Sequence, residues 1–420
     1  MKKIFYSMVA LLVMGLTLTA CGSDDDNNTT TTTDEAKYKD RTYGNAAIQS
    51  CMDVISSVED ANSAIASANL TTEQESSLRS VLQSLVSNVI VPTYTKLADE
   101  TEKLETTLKG LTASSITQQQ INSACEDFKL ARQYWEQSEA FLGGAASDFD
   151  IDPTIDSWPL NRSLLLSYFN NGMNAEMLAD ATILGFHALE FILFRNGQPR
   201  KVAEFQGYDT YKNFEQISGA KELAYAQTIC TLLKQRCFQL QVAWEGKTAA
   251  NASRVAVVEA AKLDYTTENG LSYGQNMTTA GLDGSKSTFS TLKAAIAQVL
   301  SDDEGSCAAI ANEVGTAKIA NPFLAGDVSY VESPYSQNSI ADFQDNIRSI
   351  RNVWLGSTNG SVGSNSFHNF FAGVSAQNIN TTVENAYTDA ITKIGNMPAP
   401  FVKYCCSIWN IAFEDDEDWE

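Results

Sequence analysis

Histidine is nearly missing from this chain, with two in 420 residues. A site built on several imidazoles is therefore excluded, and no HExxH zinc-protease motif occurs, so any metal would need mostly oxygen ligands. Basic charge is also short: 29 Lys and Arg stand against 51 Asp and Glu, giving a net charge of −22. That balance rules against nucleic acid as a partner, because binding to phosphates runs on Lys and Arg contacts, and against a flat contact with anionic lipid. It would suit metal cations, and it also keeps a protein soluble. The 8 cysteines lack paired CxxC spacing, which argues against a zinc or haem site of that kind. No G-x-S-x-G nucleophile elbow and no cysteine–histidine neighbour occurs. After the first 20 residues no run approaches the ~18 uncharged apolar residues of a membrane span.

The one short apolar run that stands out is at the start. Lys2 and Lys3 precede Val9 to Leu18, and the segment closes on Leu18-Thr19-Ala20-Cys21. Residues 1–20 thus read as a secretory signal. The small residues before Cys21 resemble the lipobox of a bacterial lipoprotein, which implies cleavage there and lipidation of Cys21. Losing Lys2 and Lys3 takes the net charge from −22 to −24. The Asp24-Asp25-Asp26 run and the Asn/Thr-rich stretch that follows have almost nothing to bury, so residues 21–44 are expected to be a disordered tether. An acidic run at this place also resembles a surface-export signal, so the chain is expected in the cell envelope, anchored to the outer membrane by lipid and exposed at the surface. Residues 413–420 read as a solvated acidic tail. Beyond Cys21 seven cysteines remain, an odd number that leaves at least one thiol unpaired, and Cys230 and Cys237 share one helical face.

The remaining pattern is helical. Leu78, Val81, Leu82, Leu85 and Val89 follow the spacing of one helix face. Thr72 with Glu75 offers a capping box, and Pro92 is expected to kink or stop that helix. Further helices are predicted over 118–142, 175–194, 218–245, 287–300, 339–355 and 377–396, with little strand alternation. The fold class is all-α, built of bundles. Asn196-Gly197 followed by Pro199 reads as a helix end; a β-hairpin turning there is the rival. This gives two helical-bundle domains, 45–205 and 206–412. A faint echo of Phe128, Arg132, Trp135 and Gly143 in Phe343, Arg348, Trp354 and Gly356 suggests a duplicated four-helix-type bundle.

Within ATILGFHALEFILF, residues 181–194, only His187 and Glu190 ionise. At i and i+3 they project from nearly the same helix face. A buried unpaired carboxylate is costly enough to demand a partner. Three arrangements meet that demand: a core pair satisfied within the protein, part of a metal site completed by facing helices, or a hydrolytic site with His187 or Glu190 as general base. Gly185 costs its helix about 1 kcal/mol relative to alanine, which implies close approach by another backbone or a ligand.

Gly185, His187 and Glu190 resemble the GxHxxE signature of the imelysin family. Arg132-Gln-Tyr-Trp135-Glu-Gln-Ser-Glu139-Ala-Phe141, Asp156-Ser-Trp158-Pro159 and Tyr335-Ser-Gln-Asn-Ser339 through Trp354-Leu355-Gly356 resemble further blocks of that family, over roughly residues 45–410. The resemblance implies two helical bundles with a site that includes the GxHxxE helix, links to iron uptake, and the peptidase activity for which the family was named. It places Gly185, His187 and Glu190 in a ligand site, with Arg132, Trp135, Glu139, Asp156 and Trp158 around them, and a metal ion, iron or zinc, on His187 and Glu190. The expected function is an envelope lipoprotein that binds a metal ion or a metal-containing small ligand in iron acquisition. A peptidase, and a structural lipoprotein with no catalysis, are the alternatives. Trp135 and Trp158 suit core or lid positions, and Arg132 with Glu136 suits a surface ion pair worth ~0.3–0.5 kcal/mol. Arg348 is a further candidate partner for a buried carboxylate, and His368 a candidate second imidazole.

Overall fold

Apolar residues three and four apart decide where each helix faces. In the computed structural model, which describes residues 41–374 and 376–405, helix α1 (Thr42–Ser67) buries Ala47, Cys51, Val54, Val58, Ala61 and Ile65 along one stripe. Helix α2 (Thr72–Leu85) buries Leu78, Val81, Leu82 and Leu85. Its capping box is made by Thr71 and Gln74, one residue earlier than Thr72 and Glu75. Pro92 does not end the helical path: a π turn over Val86–Ile90 leads directly into α3 (Val91–Lys109), with the proline in its first turn. The chain is helical on both sides of the proline, and the wider π turn, where Val91 N–H donates to the Val86 carbonyl five residues back, relieves the clash its ring would make with a regular preceding turn.

Helix α4 (Gln118–Glu136) starts at a Thr117/Gln120 capping box and buries Phe128, Arg132, Trp135 and Glu136 together. It ends before Glu139, which lies in a 3-10 turn, Glu139–Phe141. A short helix α5 (Asp152–Asp156) follows. The region 175–194 is not one helix. Two 3-10 turns, Ala175–Ala179 and Ala181–Ile183, precede α6 (Gly185–Leu193), every residue of which is buried. Both readings of Asn196-Gly197 meet here. The helix ends at Leu193, and Phe194–Arg195 then pairs antiparallel with Gln198–Pro199. Asn196 and Gly197 both take positive φ, 50° and 75°, as a tight hairpin turn of the primed type requires.

The long helices α7 (Gly219–Glu245), α8 (Ser339–Leu355) and α9 (Gln377–Gly395) complete the frame. Helix α3 packs on α4 and α7, α9 on α1 and α8, and α8 on α4. The structure is mostly helical, and one apolar core runs from Ala47 to Cys405. Among the described residues no helix is long and apolar enough to cross a membrane. Cys51, Cys125, Cys230, Cys237 and Cys307 are all buried free thiols, and Cys405 is buried as well. Burial pushes Cys51 and Cys125 up to about 12, so they act as small apolar side chains. The expected signal peptide, the lipidated Cys21, nearly all of the tether, Cys406 and the acidic tail lie outside the described residues.

Candidate metal centre

Gly185 determines how the GxHxxE helix sits. Its φ is +71°, and a Cβ there would fall 2.0 Å from the Ile155 carbonyl oxygen of α5. Only a residue without a side chain lets α6 begin directly on α5, which brings His187 to Asp156. His187 Nε2 lies 3.0 Å from Asp156 Oδ1, and its Nδ1 lies 3.6 Å from Glu190 Oε2. The Nε2 contact is close but off line, and that nitrogen makes no hydrogen bond. Glu190 is held on its other oxygen, Oε1, which accepts from the Ser336 backbone N–H at 2.6 Å and from Ser336 Oγ at 2.7 Å. The hairpin supports that arrangement, because Gly197 N–H donates to the Tyr335 carbonyl beside Ser336.

Asp156 is the hub. Its Oδ2 accepts from Trp135 Nε1 at 2.7 Å and its Oδ1 from the Arg132 guanidinium. Arg132 is 1% exposed. It also binds Glu332 Oε1 at 2.6 Å and Glu136 Oε1 at 2.5 Å, with Asp342 Oδ2 3.8 Å from its Nε. The Arg132–Glu136 pair is thus a core feature and not a surface bridge. Lys318, 2% exposed, lies 3.2 Å from Glu332, 3.5 Å from Glu313 and 3.8 Å from Glu136. A π-helical stretch, Val314–Ala325, begins one residue after Glu313 and contains Lys318.

Charge in this core is unbalanced towards acid. Burial pushes the Glu136 and Glu139 carboxyls well above the usual range and carries Asp152 and Asp342 up to about 7. Burial works on Asp156 too, but Arg132 and His187 beside it hold its carboxyl far below the ordinary value. For His187, burial works to lower the pKa, yet the Asp156 carboxylate prevails and holds it up at about 9. The imidazole therefore carries a proton at neutral pH, balancing one carboxylate.

One ligand atom each from Asp156, His187 and Glu332 lies within 4.8 Å of the others. Glu332 Oε2 and Glu190 Oε2 are buried oxygens without a hydrogen-bond partner. Unsatisfied buried acceptors beside an excess of carboxylates are what a cation would relieve, so the donor set fits a metal ion. Two carboxylates and one imidazole suit a first-row divalent ion or zinc.

The residues expected at the site fall into three groups. Gly185, His187, Glu190, Arg132, Trp135 and Asp156 meet in one buried cluster. Glu139 is buried nearby on its 3-10 turn, with Lys318, Glu313 and Glu136 as its charged neighbours. Trp158 is half-buried, donates from Nε1 to the Val331 carbonyl at 3.4 Å, and meets Tyr330 edge-on at 5.1 Å. His368 lies outside the triad and pairs with Glu384 at 2.7 Å and Asn380 at 3.1 Å. Arg348 pairs with the buried Asp345 at 2.9 Å. Glu332, Lys318, Ser336 and Asp342 were not singled out from the sequence. Lys318 had a readable signal, a lone charge in the apolar run Val314 to Ala325, the same signal that marks His187.

Residues 90–416 match the imelysin family profile. The chain belongs to the imelysin family. The match begins later than the resemblance visible by eye. Among relatives, the chain is 24% identical over 285 residues to the iron-regulated protein A of Synechococcus elongatus, across 68% of this chain and 66% of that protein, a little under two thirds of its length. A crystal structure of a protein assigned as an iron-regulated protein A precursor from Parabacteroides distasonis superposes with a TM-score of 0.59 and 24% identity, covering 80% of this chain and 97% of that one. An imelysin-like protein from Psychrobacter arcticum gives 0.42 and 11%, covering 80% and 95%. The Parabacteroides likeness shows a shared fold.

Proposed function

We propose that this imelysin-family protein binds a metal ion at Asp156, His187 and Glu332, as a carrier in iron acquisition at the cell envelope. The observation that carries the reading is the convergence of those three ligand atoms within 4.8 Å in a buried, carboxylate-rich core. When bound, the ion would supply the positive charge that the cluster lacks. Asp156 and Glu332 would neutralise it, while Arg132 and Trp135 hold Asp156 in orientation. Glu190, fixed by Ser336, stands beside His187 with its free oxygen 3.6 Å from Nδ1, where its charge favours a proton on that nitrogen and leaves Nε2 to face the ion. The names of the relatives, iron-regulated protein A, support iron as the cargo. The resemblance of the residues before Cys21 to a lipobox supports lipid anchoring at the cell envelope.

The peptidase alternative has less behind it. Among the described residues a single histidine serves the cluster, and Ser336 Oγ donates to Glu190 instead of to an imidazole. The test of the proposal is growth under iron limitation with the native gene replaced by Glu332→Gln or His187→Ala. Slower growth that excess iron restores is expected for both. Growth equal to the native strain in both would remove the assigned role.

A further inference from the structure

Over His187 lies a cavity of about 630 Å³ whose walls are unlike the rest of the molecule. Among the described residues no Asp or Glu lines it, although the chain carries 51 acidic residues against 29 basic. Its charged walls are Arg162 and Lys212, with His187 at its inner end. Its flat walls are Trp158, Tyr211 and Tyr335. Arg162 donates to the Tyr211 hydroxyl and lies 5.6 Å over that ring, so the guanidinium and the aromatic face are presented together. Lys212 makes no ion pair among the described residues. The cluster beneath is acidic while this chamber is basic and aromatic. A bare cation is therefore repelled at the chamber and attracted only below it.

We propose that the chamber binds a small organic anion with an aromatic face, the class of an aryl carboxylate or catecholate chelator, and that metal reaches His187 as a complex with such an anion. Cations over and beside aromatic rings recognise a flat anion by charge and by stacking at once. The delivery half rests on the metal-binding reading above; the anion-binding half stands without it.

The experiment titrates the metal-free full chain by calorimetry with 2,3-dihydroxybenzoate and, as a cation of similar shape, 3,4-dihydroxybenzylamine. Binding of the benzoate at one per chain is expected, with no heat from the amine. Lys212→Glu should weaken the benzoate roughly tenfold, and Lys212→Met, which keeps the apolar stem, by roughly threefold. Equal binding of the amine, absence of benzoate binding, or unchanged affinity in both Lys212 variants would overturn the proposal. Metal alone, titrated into the same protein, separates the two readings. Benzoate binding without metal binding leaves the chamber assignment standing and removes the metal site. Metal binding without benzoate binding does the reverse. Glu332→Gln, a change outside the chamber walls, should lose the metal and keep the benzoate.

Discussion

Gly185 and His187 impose separate demands. The glycine is required twice over, by a φ of +71° and by a backbone oxygen 2.0 Å from where a Cβ would stand. Gly185→Ala is expected to cost about 2–4 kcal/mol in chemical denaturation, from left-handed strain plus overpacking. A loss below about 1 kcal/mol would mean that α6 can lift from α5. His187 presents a proton where an ion would sit. Because Asp156 holds its pKa at about 9, a metal must displace that proton, and binding is coupled to pH. Close to one proton should be released per ion from His187 at pH 7, and affinity should rise as pH climbs towards 9. Calorimetry in buffers of different ionisation enthalpy reads that number directly.

At the scale of elements, the long helices were legible because their stripes are long and apolar, as α2 and α8 show. Their ends were less so. Thr71 and Thr72 are both competent caps, and only backbone geometry chose Thr71. The π turn ahead of Pro92 has no sequence signature that separates it from a helix stop. The site was half legible: His187 and Glu190 announced themselves as charges in an apolar run, and family resemblance supplied Asp156. Glu332 comes from an irregular segment far along the chain, and no local pattern ties it to α6. Asp342 on α8 illustrates what such convergence costs. Its folded pKa, raised by burial to about 7, lies above the ordinary 3.8. The neutral form is favoured in the fold, so its contribution is fully present below about pH 3.8 and is lost as pH rises through 7. Thermal unfolding of the metal-free protein should show lower stability at pH 8 than at pH 5, and Asp342→Asn should flatten that slope. A slope unchanged in the variant would show that Asp342 is ionised throughout.

Across the whole molecule, a chain of net charge −22 concentrates carboxylates in a buried core with too few cations to match them. Arg132 and Lys318 neutralise part of the excess, and the proton on His187 another part. A ligand that binds only the native state stabilises it by RT ln(1 + [L]/Kd), about 2.7 kcal/mol at a hundredfold excess over Kd. Metal should therefore raise the melting temperature, and more at pH 8 than at pH 5, because protons and ions compete for the same carboxyls. The most direct measurement is anaerobic calorimetric titration of the metal-free full chain with Fe²⁺, and with Zn²⁺ in parallel, alongside His187→Ala and Glu332→Gln. One ion per chain is expected, with affinity reduced at least tenfold in each variant while both remain folded by circular dichroism. Absence of binding to the unmodified chain, or equal binding in both variants, would contradict a metal centre at Asp156, His187 and Glu332.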